Sequence, residues 1–92
     1  MNREEFIRML RQEAYPDPVE VQREPSGHLG NHTHPFEVKA LVLSGSIDLM
    51  FDHETKTYGP GDIFHLEYEQ LHAETYGPQG VYYLAARKQS AF

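Results

Sequence analysis

Three histidines set the terms for this chain. His32 and His34, in His32-Thr33-His34-Pro35-Phe36-Glu37, are two residues apart, and successive strand side chains alternate faces, so an extended backbone points both rings the same way. At a rise of roughly 3.3 Å per residue their Cα atoms lie about 6.6 Å apart, near enough for two imidazoles to share an ion at about 2.0–2.1 Å from each nitrogen. Such a pair taken alone is common by chance, and two loop histidines need no metal. About forty residues on, however, Gly59-Pro60-Gly61-Asp62 reads as a tight turn, Ile63 to Leu66 as a short strand, and His72 opens the next strand. A third imidazole is therefore on hand.

The elements around these rings must bring them together. Asn2 and Glu5 form a capping box, and Phe6, Ile7, Met9 and Leu10 give an apolar stripe, predicting a helix over about residues 3–13. That stripe is expected to pack on the strands or on a partner subunit. Tyr15-Pro16-Asp17-Pro18 ends the helix, because proline supplies no donor and pushes its predecessor out of the helical region. Val19 to Arg23 alternates as an edge strand would, and Pro25 to Gly30 reads as a loop leading to His32. Phe36 to Leu43 is the next strand, nearly all apolar after Lys39, as where both faces are covered.

Ser44-Gly45-Ser46 is expected to turn this strand back as a hairpin into Ile47 to Phe51, with Ile47, Leu49 and Phe51 on one face. Asp52 to Thr55 is a polar turn, which makes His53 a solvated residue. Gly77-Pro78-Gln79-Gly80 is a further turn, Val81 to Arg87 the last strand, and Lys88 to Phe92 a loose tail. The count comes to six or seven strands.

This arrangement resembles the cupin superfamily, whose first motif carries a Gly, then H-x-H, a Glu and a closing Gly, and whose second carries a G-D turn and a third His. The match runs from about His32 to His72, through Gly45, Gly61 and Asp62. The resemblance implies an all-β, small single-domain jelly-roll barrel over residues 1–92, with the short N-terminal helix and the barrel over about residues 19–87. It also implies a metal held by His32, His34 and His72, with Glu37 as the family's acid.

The acid is displaced from the family pattern. Glu37 follows His34 with only two residues between, and the slot counted back from Gly45 falls on Val38. In a regular strand Glu37 faces away from His34; a bulge at Pro35, which has no N–H for a ladder, would turn it inward. Glu37 is thus either a fourth ligand or an outward carboxylate paired with a nearby cation. Two more departures are Glu67-Tyr68-Glu69 where the family has Pro-x-Gly, and Tyr76 where it has Asn.

Glu74 and Tyr76 share the strand parity of His72, so if that ring points inward these follow it. A carboxylate beside a site water is placed to move a proton, which makes Glu74 the catalytic candidate against the plainer reading of a surface acid. His28 is expected in an exposed loop and His65 half-exposed on its strand. Met50, Tyr76 and Tyr83 are the inferred pocket-lining residues.

Composition narrows the chemistry. Ninety-two residues suffice for one small domain that buries about 60–65% of its unfolded surface. No cysteine means no disulfide and no thiolate ligand, leaving nitrogen and oxygen donors that suit divalent Zn, Fe, Mn, Ni or Cu. Eight basic against fourteen acidic side chains give a net charge of −6 with no basic stripe, which argues against nucleic acid as a partner. The start is no secretory signal and no apolar run approaches the roughly 18 residues of a membrane span, so the expected location is the cytoplasm. Uncovered sheet edges and the amphipathic helix favour a homodimer.

Three functional readings follow. The first is a small metalloenzyme of dioxygenase, isomerase or lyase type acting on a small oxygen-bearing substrate at a three-histidine site. The second is a module that binds or senses a small ligand or a metal without turnover. The third is a barrel whose histidines only hydrogen-bond in a polar pocket, since this fold hosts many unrelated activities.

Overall fold

The computed structural model describes residues 1–89. One helix, α1 (Arg3–Gln12), precedes six strands: β1 (Val19–Arg23), β2 (His28–His32), β3 (Phe36–Phe51), β4 (Glu54–Tyr58), β5 (Ile63–Leu66) and β6 (His72–Gln89). The helix begins as its sequence predicts. The Asn2 side chain accepts from the Glu5 amide while the Glu5 carboxylate accepts from the Asn2 amide, so each satisfies a donor the helix end would leave bare.

Two long strands organise the molecule. β3 and β6 run antiparallel from Phe36 opposite Gln89 to Met50 opposite Ala73. β1 and β2 pair with β6, while β4 and β5 pair with β3, giving one strongly bent, jelly-roll-like sheet that does not close on itself among the described residues. No described helix is long and apolar enough to cross a membrane.

The bend corrects two expectations. Ser44-Gly45-Ser46 does not reverse the chain, and neither does Gly77 to Gly80; both segments lie inside continuous strands, β3 and β6. The pairing passes from Val42 opposite Tyr83 to Ser44 opposite Tyr82, and then from Gly45 opposite Val81 to Ile47 opposite Tyr76, so the residues between bulge out. Gly45 has φ +74°, and a Cβ there would run into the Gly80 carbonyl. Turn-forming residues thus serve as the hinge at which both ribbons fold over. The expected loop at Pro25 to Gly30 also differs, because β2 begins at His28 and adds to β6.

Strand parity then splits the apolar residues into two layers. Val38, Ala40, Val42, Ile47, Leu49, Phe64, Leu66, Val81, Tyr83 and Ala85 face inward as the inner core. Leu41, Leu84 and Ala86 face outward, where Phe6, Leu10 and Tyr15 from α1 and the residues after it cover them. This explains why β3 reads as nearly all apolar: both its faces are dry.

Candidate metal centre

β2 and β6 bring the histidines together. His32 ends β2 directly opposite His72, which opens β6, and His34 lies two residues beyond His32. The ring centroids are 4.2 Å apart for His32 and His72, 4.9 Å for His32 and His34, and 5.2 Å for His34 and His72. Glu74, two residues after His72 and so on its face, completes the group, and one ligand atom from each of the four residues lies within 4.8 Å of all the others.

Backbone carbonyls set the tautomers. Nδ1 of His32 donates to the Gly30 carbonyl and Nδ1 of His72 to the Gln70 carbonyl, each at 2.8 Å. A carbonyl only accepts, so the proton of each neutral ring sits on Nδ1 and the Nε2 lone pair points into the site. Both Nε2 atoms are buried without a hydrogen-bond partner. They face Oε2 of Glu74 at 3.4 and 3.3 Å. Two lone pairs opposed to a carboxylate oxygen repel one another unless a proton or a cation lies among them, and three nitrogens with one oxygen form a donor set that divalent transition metals accept. The residues therefore fit a metal.

Burial and neighbouring charges shift three of these four groups. Burial, with the neighbouring His32 and His72, lowers the His34 pKa and keeps that ring neutral. For Glu74, burial works upward but is outweighed by His72, Tyr76 and His32, so its carboxyl titrates below the ordinary range. For His72, burial works downward and is outweighed by Glu74 and the Gln70 carbonyl, which raise it. Tyr76 donates to Oε1 of Glu74 at 3.0 Å, fixing the carboxylate with Oε2 turned to the rings. Burial and Glu74 push the Tyr76 hydroxyl up to about 12, so it stays a donor.

A cavity of about 70 Å³ opens beside the group, lined by His32, His34 and Glu74 and closed by apolar side chains such as Val38, Phe64 and Leu66. Tyr83 lines it as expected from sequence; Met50 and Tyr76 do not.

Glu37 is not part of this group, which corrects its place as a metal ligand. Its parity is that of Lys39 and Leu41, so it faces outward toward the segment after α1. There Oε2 accepts from the Tyr15 hydroxyl at 2.7 Å and from Nε2 of His65 at 2.8 Å. No bulge at Pro35 turns it inward; the pairing of Phe36 through Val42 with β6 is regular. His65 is the partner that the plainer reading places beside Glu37. His28 is exposed on β2, and His53 is exposed beside Asp52.

No protein-family profile and no curated protein matches the sequence. Solved structures do match in shape. A cupin superfamily protein from Desulfitobacterium hafniense superposes with a TM-score of 0.68 at 15% identity, over 77% of this chain and 64% of that one. An RmlC-like cupin from Shewanella frigidimarina gives 0.68 at 18%, over 80% and 66%. A DMSP lyase from Ruegeria pomeroyi gives 0.69 at 20%, over 78% and 37%. This chain has the cupin fold. It spans less than two thirds of the length of each of these three structures.

Val38, the slot counted back from Gly45, lines the cavity as an apolar wall, and Glu74 on β6 stands among the rings instead. Sequence reasoning named Glu74 for proton transfer and did not name it as a ligand. The signal was its spacing of two from His72, which puts both on one face of a strand.

Proposed function

We propose that His32, His34, His72 and Glu74 hold a divalent transition metal, and that the protein is a small metalloenzyme acting on a small oxygen-bearing substrate. The observation that supports this most is the pair of buried, unpartnered Nε2 atoms facing one carboxylate oxygen. The chain's own residues do four things. Gly30 and Gln70 hold the ring protons on Nδ1, Tyr76 holds Glu74, Phe36 stacks on His34 at 5.1 Å, and the apolar wall limits water. A bound divalent ion would supply Lewis-acid polarisation of a substrate oxygen, and Fe, Mn or Cu would add redox chemistry that Zn lacks. His34 is kept neutral and Glu74 ionised, which are their ligating forms, while His72, raised by Glu74, would release its proton on binding an ion.

Similarity in fold to a DMSP lyase is in keeping with the lyase class, and the fold itself does not choose among dioxygenase, isomerase and lyase chemistry. A non-catalytic module that binds a small ligand or the metal itself is the second reading, favoured by a cavity much smaller than the roughly 300–1,000 Å³ of drug-sized sites. Metal analysis of protein purified without added metal, followed by oxygen-consumption and product assays on small acids and enols, tests both. Bound metal with turnover supports the enzyme, bound metal without turnover supports the module, and absence of metal retention on titration overturns the centre.

We extend the proposal to one cupin unit over residues 1–92, located in the cytoplasm and paired as a homodimer through the open edges of β1 or β4. Sedimentation equilibrium showing a monomer at micromolar concentration would refute the dimer.

A further inference from the structure

The cavity beside the four donors has a charge pattern that those donors do not explain. Its lining carries two guanidiniums, Arg23 and Arg87, against the single carboxylate of Glu74, in a chain whose net charge is −6. Both arginines occupy inward positions of their strands. Arg23 is two residues from Val21 on β1, Arg87 is two from Ala85 and four from Tyr83 on β6, and all five residues line the same space. Both residues are exposed.

Among the described residues neither arginine forms an ion pair with an Asp or Glu. Arg23 donates to the Gln22 carbonyl at 3.4 Å. Arg87 lies with its guanidinium 5.0 Å from the Phe36 ring centroid, and Phe36 in turn stacks on His34. Stacking steadies the guanidinium plane while its N–H edge remains open to a partner. The chain Arg87, Phe36, His34 therefore sets a planar, fork-shaped donor next to the candidate metal centre.

We infer that this cavity takes a small organic acid as its anion, with Arg87 gripping the carboxylate and Arg23 adding a second positive charge at the mouth. A planar guanidinium pairs with a carboxylate through two parallel N–H···O bonds, a match that an amide or alcohol does not reproduce. The volume of about 70 Å³ holds only a few heavy atoms, so the acid has a short carbon chain. The inference rests on the proposed metal centre, which would meet the acid's other end.

The test is calorimetric titration of the zinc-loaded protein with propionate, malonate and propionamide at neutral pH, with zinc content measured in parallel. The acids are expected to bind, and propionamide at least about tenfold more weakly. Arg87→Gln is expected to weaken malonate binding by about tenfold or more with zinc retained, Arg87→Lys to recover part of it, and Arg23→Gln to reduce both affinity and its sensitivity to salt. Equal binding of propionate and propionamide, or wild-type malonate affinity in a folded Arg87→Gln variant that keeps its zinc, would overturn the inference. Wild-type protein that fails to hold zinc overturns the metal reading instead; malonate binding that is then still lost in Arg87→Gln supports the arginine's role.

Discussion

Nε2 of His72 and Oε2 of Glu74 lie 3.3 Å apart inside the sheet, with no hydrogen bond satisfying the ring nitrogen. That relationship is what places Glu74 in the proposed donor set. His32→Ala and His72→Ala are each expected to abolish tight metal binding, and Glu74→Gln to weaken it by about 10–100-fold. Glu37→Gln, remote from the group, should change it by less than about tenfold. Competition against a chelator of known affinity reads all four; equal losses in Glu37→Gln and Glu74→Gln would be incompatible with this geometry.

Tyr76 acts on the centre through Glu74. Its hydroxyl is the donor that fixes Oε1, so Tyr76→Phe frees the carboxylate to rotate while keeping the ring in the core. Metal affinity should fall by about tenfold with a circular dichroism spectrum and melting curve close to wild type. Unchanged affinity would mean that the rings alone orient Glu74.

On the outer face, Glu37 ties the segment after α1 to β5. Its pKa is lowered from 4.5, first by the hydrogen bond from His65 and then by that from Tyr15. A carboxyl lowered in the folded state stabilises the fold above its unfolded value and loses that contribution as pH falls through the folded one. Glu37→Gln should therefore be less stable than wild type near about pH 6, by under about 1 kcal/mol because the pair is partly exposed, with the gap closing below about pH 4. Urea melts at several pH values check the sign; a gap that widens in acid would refute it.

Gly45 tests the bend. With φ +74° and the Gly80 carbonyl where a Cβ would stand, Gly45→Ala is both strained and blocked. A loss of about 2–4 kcal/mol is expected, visible as a lower urea midpoint. A near-neutral result would show that β3 and β6 part easily at this point.

Several features were legible from local pattern because local physics decides them. The capping box of Asn2 and Glu5 needs only a spacing of three, the Gly59 to Asp62 turn needs only its own residues, and the common facing of His32 and His34 needs only extended backbone. The same parity already joined Glu74 to His72. The resemblance in those spacings to the cupin pattern extended this to the fold.

What the residues alone left open was settled by pairing over long distances in the chain. Ser44 to Ser46 and Gly77 to Gly80 carry the chemistry of reversals, yet the partner strand runs past both, so they become bulges in continuous ribbons. Alternation says that Glu37 and Glu74 each have a face; only the packing of α1 on one side, and the closing of β2 onto β6 on the other, decides which face is outside and which surrounds the rings. A side chain's parity is a property of its own strand, whereas inside and outside are properties of the sheet as a folded body.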